Sequence, residues 1–261
     1  MLDAVKLAVS DQTNDITPRA NCADCPHRED RLKKGRCNPG DTCVRAMSGR
    51  QIARFFTLNP DLAEQYAGDD FWERRAIAAR YLSQKLLLDM LDDPDEVVRR
   101  VLAYRLPVSE LDALIDDPDR EVRITVADRL PVEKLERLVN DEDYLVRQYV
   151  AKRLKPGRLF RMINDPEREV RKTVARRLPQ ESLQLMMNDP MAEIRIIVAE
   201  RIEIESIRPM MRDTDWRVRL SVCHRLSPDM LVEMLYDDDD DVRDLVQRRL
   251  KSDNQNFNGS A

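Results

Sequence analysis

The sequence predicts an all-α solenoid, a stack of helical repeats behind a small cysteine-rich N-terminal segment. Three observations carry that reading. A motif returns every 24 residues; the composition is rich in charge and poor in aromatics and glycine; and four cysteines crowd into positions 22 to 43.

The motif comes first, because internal self-similarity decides the architecture. A Val-Arg or Ile-Arg pair recurs at Val98-Arg99, Val122-Arg123, Val146-Arg147, Val170-Arg171, Ile194-Arg195, Val218-Arg219 and Val242-Arg243. Four residues after the first member stand Leu102, Val126, Val150, Val174, Val198, Val222 and Val246. A small residue follows at Ala103, Ala127, Ala151, Ala175, Ala199 and Cys223, with Gln247 in the last copy. Arg105-Leu106 returns in the same register through Arg249-Leu250, and a degenerate earlier copy keeps Arg75, Ala79 and Leu82.

The apolar offsets i, i+4, i+5 and i+8 share one helical face. Asp93-Pro94, Asp117-Pro118, Asp165-Pro166 and Asp189-Pro190 read as an N-cap followed by proline at the first helical position. Pro107, Pro131 and Pro179 end the helix, because proline lacks the amide donor and clashes with the preceding turn. Leucine and methionine pairs three apart, such as Leu111 and Leu114 or Leu183 and Met186, then suit a short 3₁₀ piece.

One repeat cannot stand alone. Ordering each residue costs about 1–2 kcal/mol in backbone entropy, whereas each buried aliphatic returns only about 1.5–3 kcal/mol. Stacking must supply the difference. Cys223 occupies the small-residue slot and reads as a buried hydrophobe. Gln247 in that slot suggests a C-terminal face turned to water. Residues 251–261 are polar and are expected to form a disordered tail.

At 36% charged and 5% aromatic residues, the chain is too polar for one compact core and fits an elongated body. A net charge of −5 argues against a general nucleic-acid binder. No apolar run reaches the roughly 18 residues of a membrane span, and the N-terminus lacks the pattern of a signal peptide. A soluble, cytoplasmic protein is expected. In a reducing compartment, Cys22, Cys25, Cys37 and Cys43 point to metal ligation before disulfides.

Their spacing is C-x2-C-x11-C-x5-C, with Gly35, Asn38, Pro39 and Gly40 supplying turns. Four thiolates suit either tetrahedral zinc or an iron–sulfur cluster, and spacing alone leaves both open. The basic stretch Arg28, Arg31, Lys33, Lys34 and Arg36 suits an anionic centre. His27, beside Pro26, reads as incidental and not as a ligand.

The 24-residue units with Asp-Pro, Val-Arg, Val-Ala and Arg-Leu-Pro resemble leucine-rich repeat variants. The cysteine spacing resembles the small iron–sulfur domain attached to some of them, as in the iron–sulfur leucine-rich repeat variant (LRV) proteins of nitrogen-fixing bacteria. The resemblance covers nearly the whole chain short of the tail. It implies alternating α- and 3₁₀-helices in a right-handed superhelix, and a [4Fe-4S] cluster on Cys22, Cys25, Cys37 and Cys43. The pattern departs at Lys155-Pro156, Glu203 and Thr214, where the repeat's proline is missing or shifted. Three segments follow: 1–68, cluster domain and cap; 69–250, repeats; 251–261, tail.

The expected function is an iron–sulfur protein whose repeats form a protein-interaction scaffold, with electron transfer or redox sensing as its chemistry. A zinc-capped solenoid binding protein or nucleic acid is the alternative. Arg99 and its equivalents are expected to pair with acids on adjacent turns, as surface pairs of little energetic weight. No catalytic constellation is present: the chain has two histidines, His27 and His224, and no Gly-rich phosphate loop.

Overall fold

A computed structural model describes residues 19–258. Among these, every regular element is helical, and the sole β pairing is an isolated antiparallel bridge between Asn38 and Thr42. Two compact units form, one ending at Leu114 and one beginning at Ile115. In the first, a π-helical turn at Arg28–Leu32 precedes α1 (Gly49–Leu58), a 3₁₀ segment (Pro60–Tyr66), α2 (Trp72–Ala78), α3 (Gln84–Leu88), α4 (Glu96–Arg105) and a second 3₁₀ segment (Val108–Leu114).

The second unit holds α5 (Arg120–Arg129), α6 (Tyr144–Arg153), α7 (Arg168–Arg177), α8 (Ala192–Arg201) and α9 (Trp216–Cys223). The 3₁₀ segments Val132–Leu138, Pro156–Met162 and Gln180–Met186 alternate with them. After α8, where Glu203 replaces the usual proline, the 3₁₀ segment splits into Ile204–Ser206 and Arg208–Arg212. The array closes with α10 (Pro228–Leu231), a 3₁₀ turn (Val232–Met234) and α11 (Asp240–Asn258). The expected alternation of α and 3₁₀ helices is what the chain adopts.

The core follows the repeat register. Val122, Val126, Ala127 and Leu130 are fully buried, and so are Val146, Val150, Ala151 and Leu154 one repeat later. The 3₁₀ segments add Leu135, Leu138, Leu159, Met162, Leu183 and Met186 from the other side of each layer. Cys223 is fully buried in the alanine slot, and Gln247 is exposed.

Three sequence expectations change. First, the Asp-Pro aspartates do not cap the helices. Each helix starts two residues later, and the caps are Asp95, Asp119, Asp143 and Asp215, whose carboxylates accept amides of the first turn. Second, α11 runs to Asn258, so residues 251–258 are helical where a disordered tail was expected; residues 259–261 lie outside the described part. No proline follows Arg249-Leu250, so nothing withdraws an amide donor there.

Third, the Arg row is not a set of loose surface pairs. Arg147 donates Nε and Nη2 to both carboxylate oxygens of Asp165 at 2.7 and 3.0 Å, while Nη1 reaches the carbonyls of Asp141 and Glu142. The same fork joins Arg75 to Asp93, Arg123 to Asp141, Arg171 to Asp189, Arg195 to Asp213 and Arg219 to Asp237. The Arg147 and Asp165 side chains are only 10% and 4% exposed. This is the work left to the Asp-Pro aspartate. One oxygen of Asp165 also accepts the amide of Glu167, which locks the turn before α7.

A second Arg row closes helix ends. Arg153 Nη1 donates to the carbonyls of Ala127 and Leu130, Arg177 to those of Ala151 and Leu154, and Arg249 to those of Cys223 and Leu226. The last carbonyls of an α-helix have no intrahelical donor and carry the negative end of its dipole. A guanidinium from the next repeat satisfies both needs.

Truncating a cap and truncating a fork should therefore differ. Asp143→Ala should cost about 1 kcal/mol, the usual loss of an N-cap. Asp165→Ala, which strands a buried guanidinium, should cost about 3 kcal/mol. Chemical denaturation of the two variants measures the gap, and equal losses would refute the distinction. Acid should also loosen the array. Burial raises the carboxyls of Asp213 and Asp237, but hydrogen bonds from Arg195 and Arg219 and from the Asp215 and Asp239 amides more than reverse it, leaving both below the ordinary range. A carboxyl so depressed lends stability above its unfolded pKa of about 3.9, and that stability disappears as pH falls through the folded value. Thermal midpoints should be level near neutral pH and drop below about pH 4.

Candidate metal centre

Cys22, Cys25, Cys37 and Cys43 all line one pocket in the first unit. Leu32, Pro39, Val44 and Phe55 give it apolar walls, and His27 and Arg28 complete it. All four are free cysteines; Cys43 is buried and the others are half-buried. The four candidate ligands are thus brought together, 21 residues of sequence notwithstanding.

Local turns achieve this. At the first pair, the amide of Cys25 donates to the carbonyl of Cys22, and Asn21 accepts the amide of Ala23, which curls C-x2-C into a tight loop. Arg28–Leu32 then turns the chain back, and Gly35 takes a left-handed φ of 67° that favours glycine. At the second pair, Asn38 and Thr42 exchange both backbone hydrogen bonds, at 2.8 and 2.9 Å. Cys37 and Cys43 flank this small hairpin, so its five-residue span is what sets the wide C-x5-C spacing.

Helix α1 clamps the hairpin from behind. Gln51, 1% exposed, donates Nε2 to the carbonyl of Gly40 and accepts the amide of Cys43 on its own carbonyl. Asn59, at the end of α1, is fully buried and donates Nδ2 to the carbonyl of Arg36, just before Cys37. Neither residue stands out in the sequence alone. The available signal was two amides eight residues apart, in register on a helix whose other inward positions are Ile52, Phe55 and Phe56.

His27 is buried in the pocket wall. Its Nε2 lies 2.7 Å from the Tyr66 hydroxyl, and its ring sits 5.6 Å from that of Phe55. Phe56 packs edge-on against both Phe55 and Tyr66, so an aromatic cluster backs the cysteines. Burial lowers the His27 pKa and pushes the Tyr66 hydroxyl up to about 12. Cys37 is pushed up to about 11, first by burial and then by the neighbouring Cys43, Cys25 and Cys22; burial likewise raises Cys43. Thiols held this way stay protonated at neutral pH until a cation replaces the protons.

The donor set tests what the pocket fits. Thiols prefer soft metals, zinc, copper(I) or iron–sulfur cores. The lining offers four such thiols, with no carboxylate among them. Among the described residues, no helix is long and apolar enough to cross a membrane.

Comparison with known proteins finds two families along the chain. Residues 18–65 match the family described as LRV protein FeS4 cluster. Residues 120–143 and 168–191 match the family described as leucine rich repeat variant, each hit spanning one 24-residue unit. An "uncharacterized 27.7 kDa protein in nifB 3′ region" of Rhodobacter capsulatus is 37% identical over 84 residues, 32% of this chain and 34% of that protein. The match thus spans about a third of that relative's length. A solved structure, described as a leucine-rich repeat variant with a novel repetitive protein structural motif, covers 90% of this chain and 100% of its own at 53% identity, with a TM-score of 0.84. At that identity over nine tenths of its length, the chain belongs to the leucine-rich repeat variant family.

Proposed function

We propose that the chain is a [4Fe-4S] protein, with Cys22, Cys25, Cys37 and Cys43 as ligands and the repeats as a protein-interaction scaffold. The carrying observation is the single pocket lined by all four free cysteines inside the segment that matches the iron–sulfur module. Four thiols could hold zinc as well, and the family match at residues 18–65 favours the iron–sulfur core. When bound, such a cluster supplies a reversible one-electron couple.

The surrounding residues perform the supporting tasks. Gln51 and Asn59 hold the ligand hairpin. Leu32, Val44 and Phe55 keep water from the inner side. Cys22, Cys25 and Cys37 remain half-buried, which leaves one side of the site near the surface. Four protein ligands leave no open iron for substrate, so the role is electron transfer or redox sensing and not catalysis of a metabolic reaction. The cytosol is the compartment in which five free cysteines persist.

Anaerobically purified protein should hold about four iron and four sulfide per chain and bleach reversibly with dithionite. Cys22→Ala or Cys37→Ala should lose the cluster while far-ultraviolet dichroism keeps the helical signal of the repeats. Zinc without sulfide would remove the redox reading. Full iron and sulfide in either variant would remove the ligand assignment.

A further inference from the structure

The cysteine segment carries a charge opposite to the rest of the molecule. Between residues 19 and 68 there are nine lysines and arginines against six aspartates and glutamates; elsewhere there are 35 against 43. The excess is also placed. Arg28 lines the cysteine pocket and is exposed. Arg45 is exposed and donates Nη1 to the carbonyl of Asp24 at 2.8 Å, which lays its guanidinium across the Cys22–Cys25 loop. Lys34 and Arg36 are exposed on the approach to Cys37.

These four cations differ from their neighbours. Arg31 is tied to Asp30 and Asp61, Lys33 to Glu29 and Arg54 to Asp41. Arg28, Lys34, Arg36 and Arg45 make no ion pair with a carboxylate among the described residues. Arg28 and Arg45 therefore present charge beside the Cys22–Cys25 loop, and Lys34 and Arg36 are exposed just before Cys37, Arg36 donating Nη2 to the carbonyl of Leu58. In the repeats, one arginine of each unit from Arg123 to Arg219 is taken up by a buried fork, while others such as Arg176 and Arg212 stay exposed.

We propose that this rim is the docking face for a small acidic electron-carrier protein, which Arg28, Lys34, Arg36 and Arg45 seat over the cysteine pocket. The inference rests on the reading of the pocket as an iron–sulfur site. An acidic partner is attracted at the rim and repelled elsewhere, so the field steers it to the one place where two redox centres come close. Duplex DNA gains less from a chain whose net charge is −5.

The test is a calorimetric titration of the holoprotein with an acidic plant-type [2Fe-2S] ferredoxin, at about 20 mM and about 300 mM salt. Iron and sulfide are assayed on the same samples. Wild-type protein should bind at low salt and weaken roughly tenfold or more at high salt. The Arg28→Glu/Arg45→Glu double variant should lose roughly tenfold or more at low salt, and Arg28→Gln/Arg45→Gln should fall between. Lys152→Glu, on the exposed side of α6, should bind as wild type.

Binding that ignores salt, no binding at all, or full binding by the Glu variant with its iron retained would overturn the proposal. Tighter binding to a duplex of about 20 base pairs than to ferredoxin at equal salt would overturn it in favour of nucleic acid. Salt-sensitive binding by protein that holds no iron would leave the docking face standing and fell the cluster reading alone.

Discussion

In the second unit, five guanidinium groups in a row, Arg123, Arg147, Arg171, Arg195 and Arg219, each grip an aspartate eighteen residues ahead. Each also reaches back to the carbonyl six residues behind in its own loop, and all but Arg219 reach the carbonyl five behind as well. A loop that ends one helix and starts another in so few residues leaves backbone oxygens without donors, and burying them unpaired is costly. Arginine meets the need because its fork is planar and carries five donors; lysine has three donors and no fixed geometry. The aspartate is constrained as tightly, since it accepts both the guanidinium and its own loop amide.

Much else in the repeat follows from that fork. It ties each loop to the next at fixed distance, which holds neighbouring layers in register. The alanine slot lets the second Arg row reach helix-end carbonyls such as those of Ala127 and Ala151. The valines and leucines then fill the space between layers to full burial. Burying paired charges is weak evidence for net stability, because desolvation offsets much of the attraction. The forks are better understood as setting register and loop geometry, with the aliphatic layers supplying most of the stabilisation.

The cysteine segment solves the same backbone problem by other means. It has no repeat to stack on at the ligand loops, so buried amides serve instead: Gln51 for Gly40 and Asn59 for Arg36. The aromatic cluster of Phe55, Phe56 and Tyr66 gives the loops a rigid backing, and His27 joins it through the Tyr66 hydroxyl. The result is a compact mount for four thiols with one side left near a basic rim.

By itself the sequence determined the repeat length, the buried positions of each layer, the proline-terminated helices and the four cysteines that meet at one pocket. These are legible because they rest on local rules: helical period, proline's missing donor, and the spacing of soft ligands. Tertiary structure decided the roles of the charged residues. Asp165 looks like a helix cap until Arg147 from the preceding repeat is seen to hold it, and Asp143 becomes recognisable as a cap only when the helix start is placed. Gln51 and Asn59 look like ordinary surface amides until the hairpin folds over α1. A polar side chain's part is set by which partner lies within hydrogen-bonding reach, and for Asp165, Gln51 and Asn59 that partner lies 11 to 23 positions away.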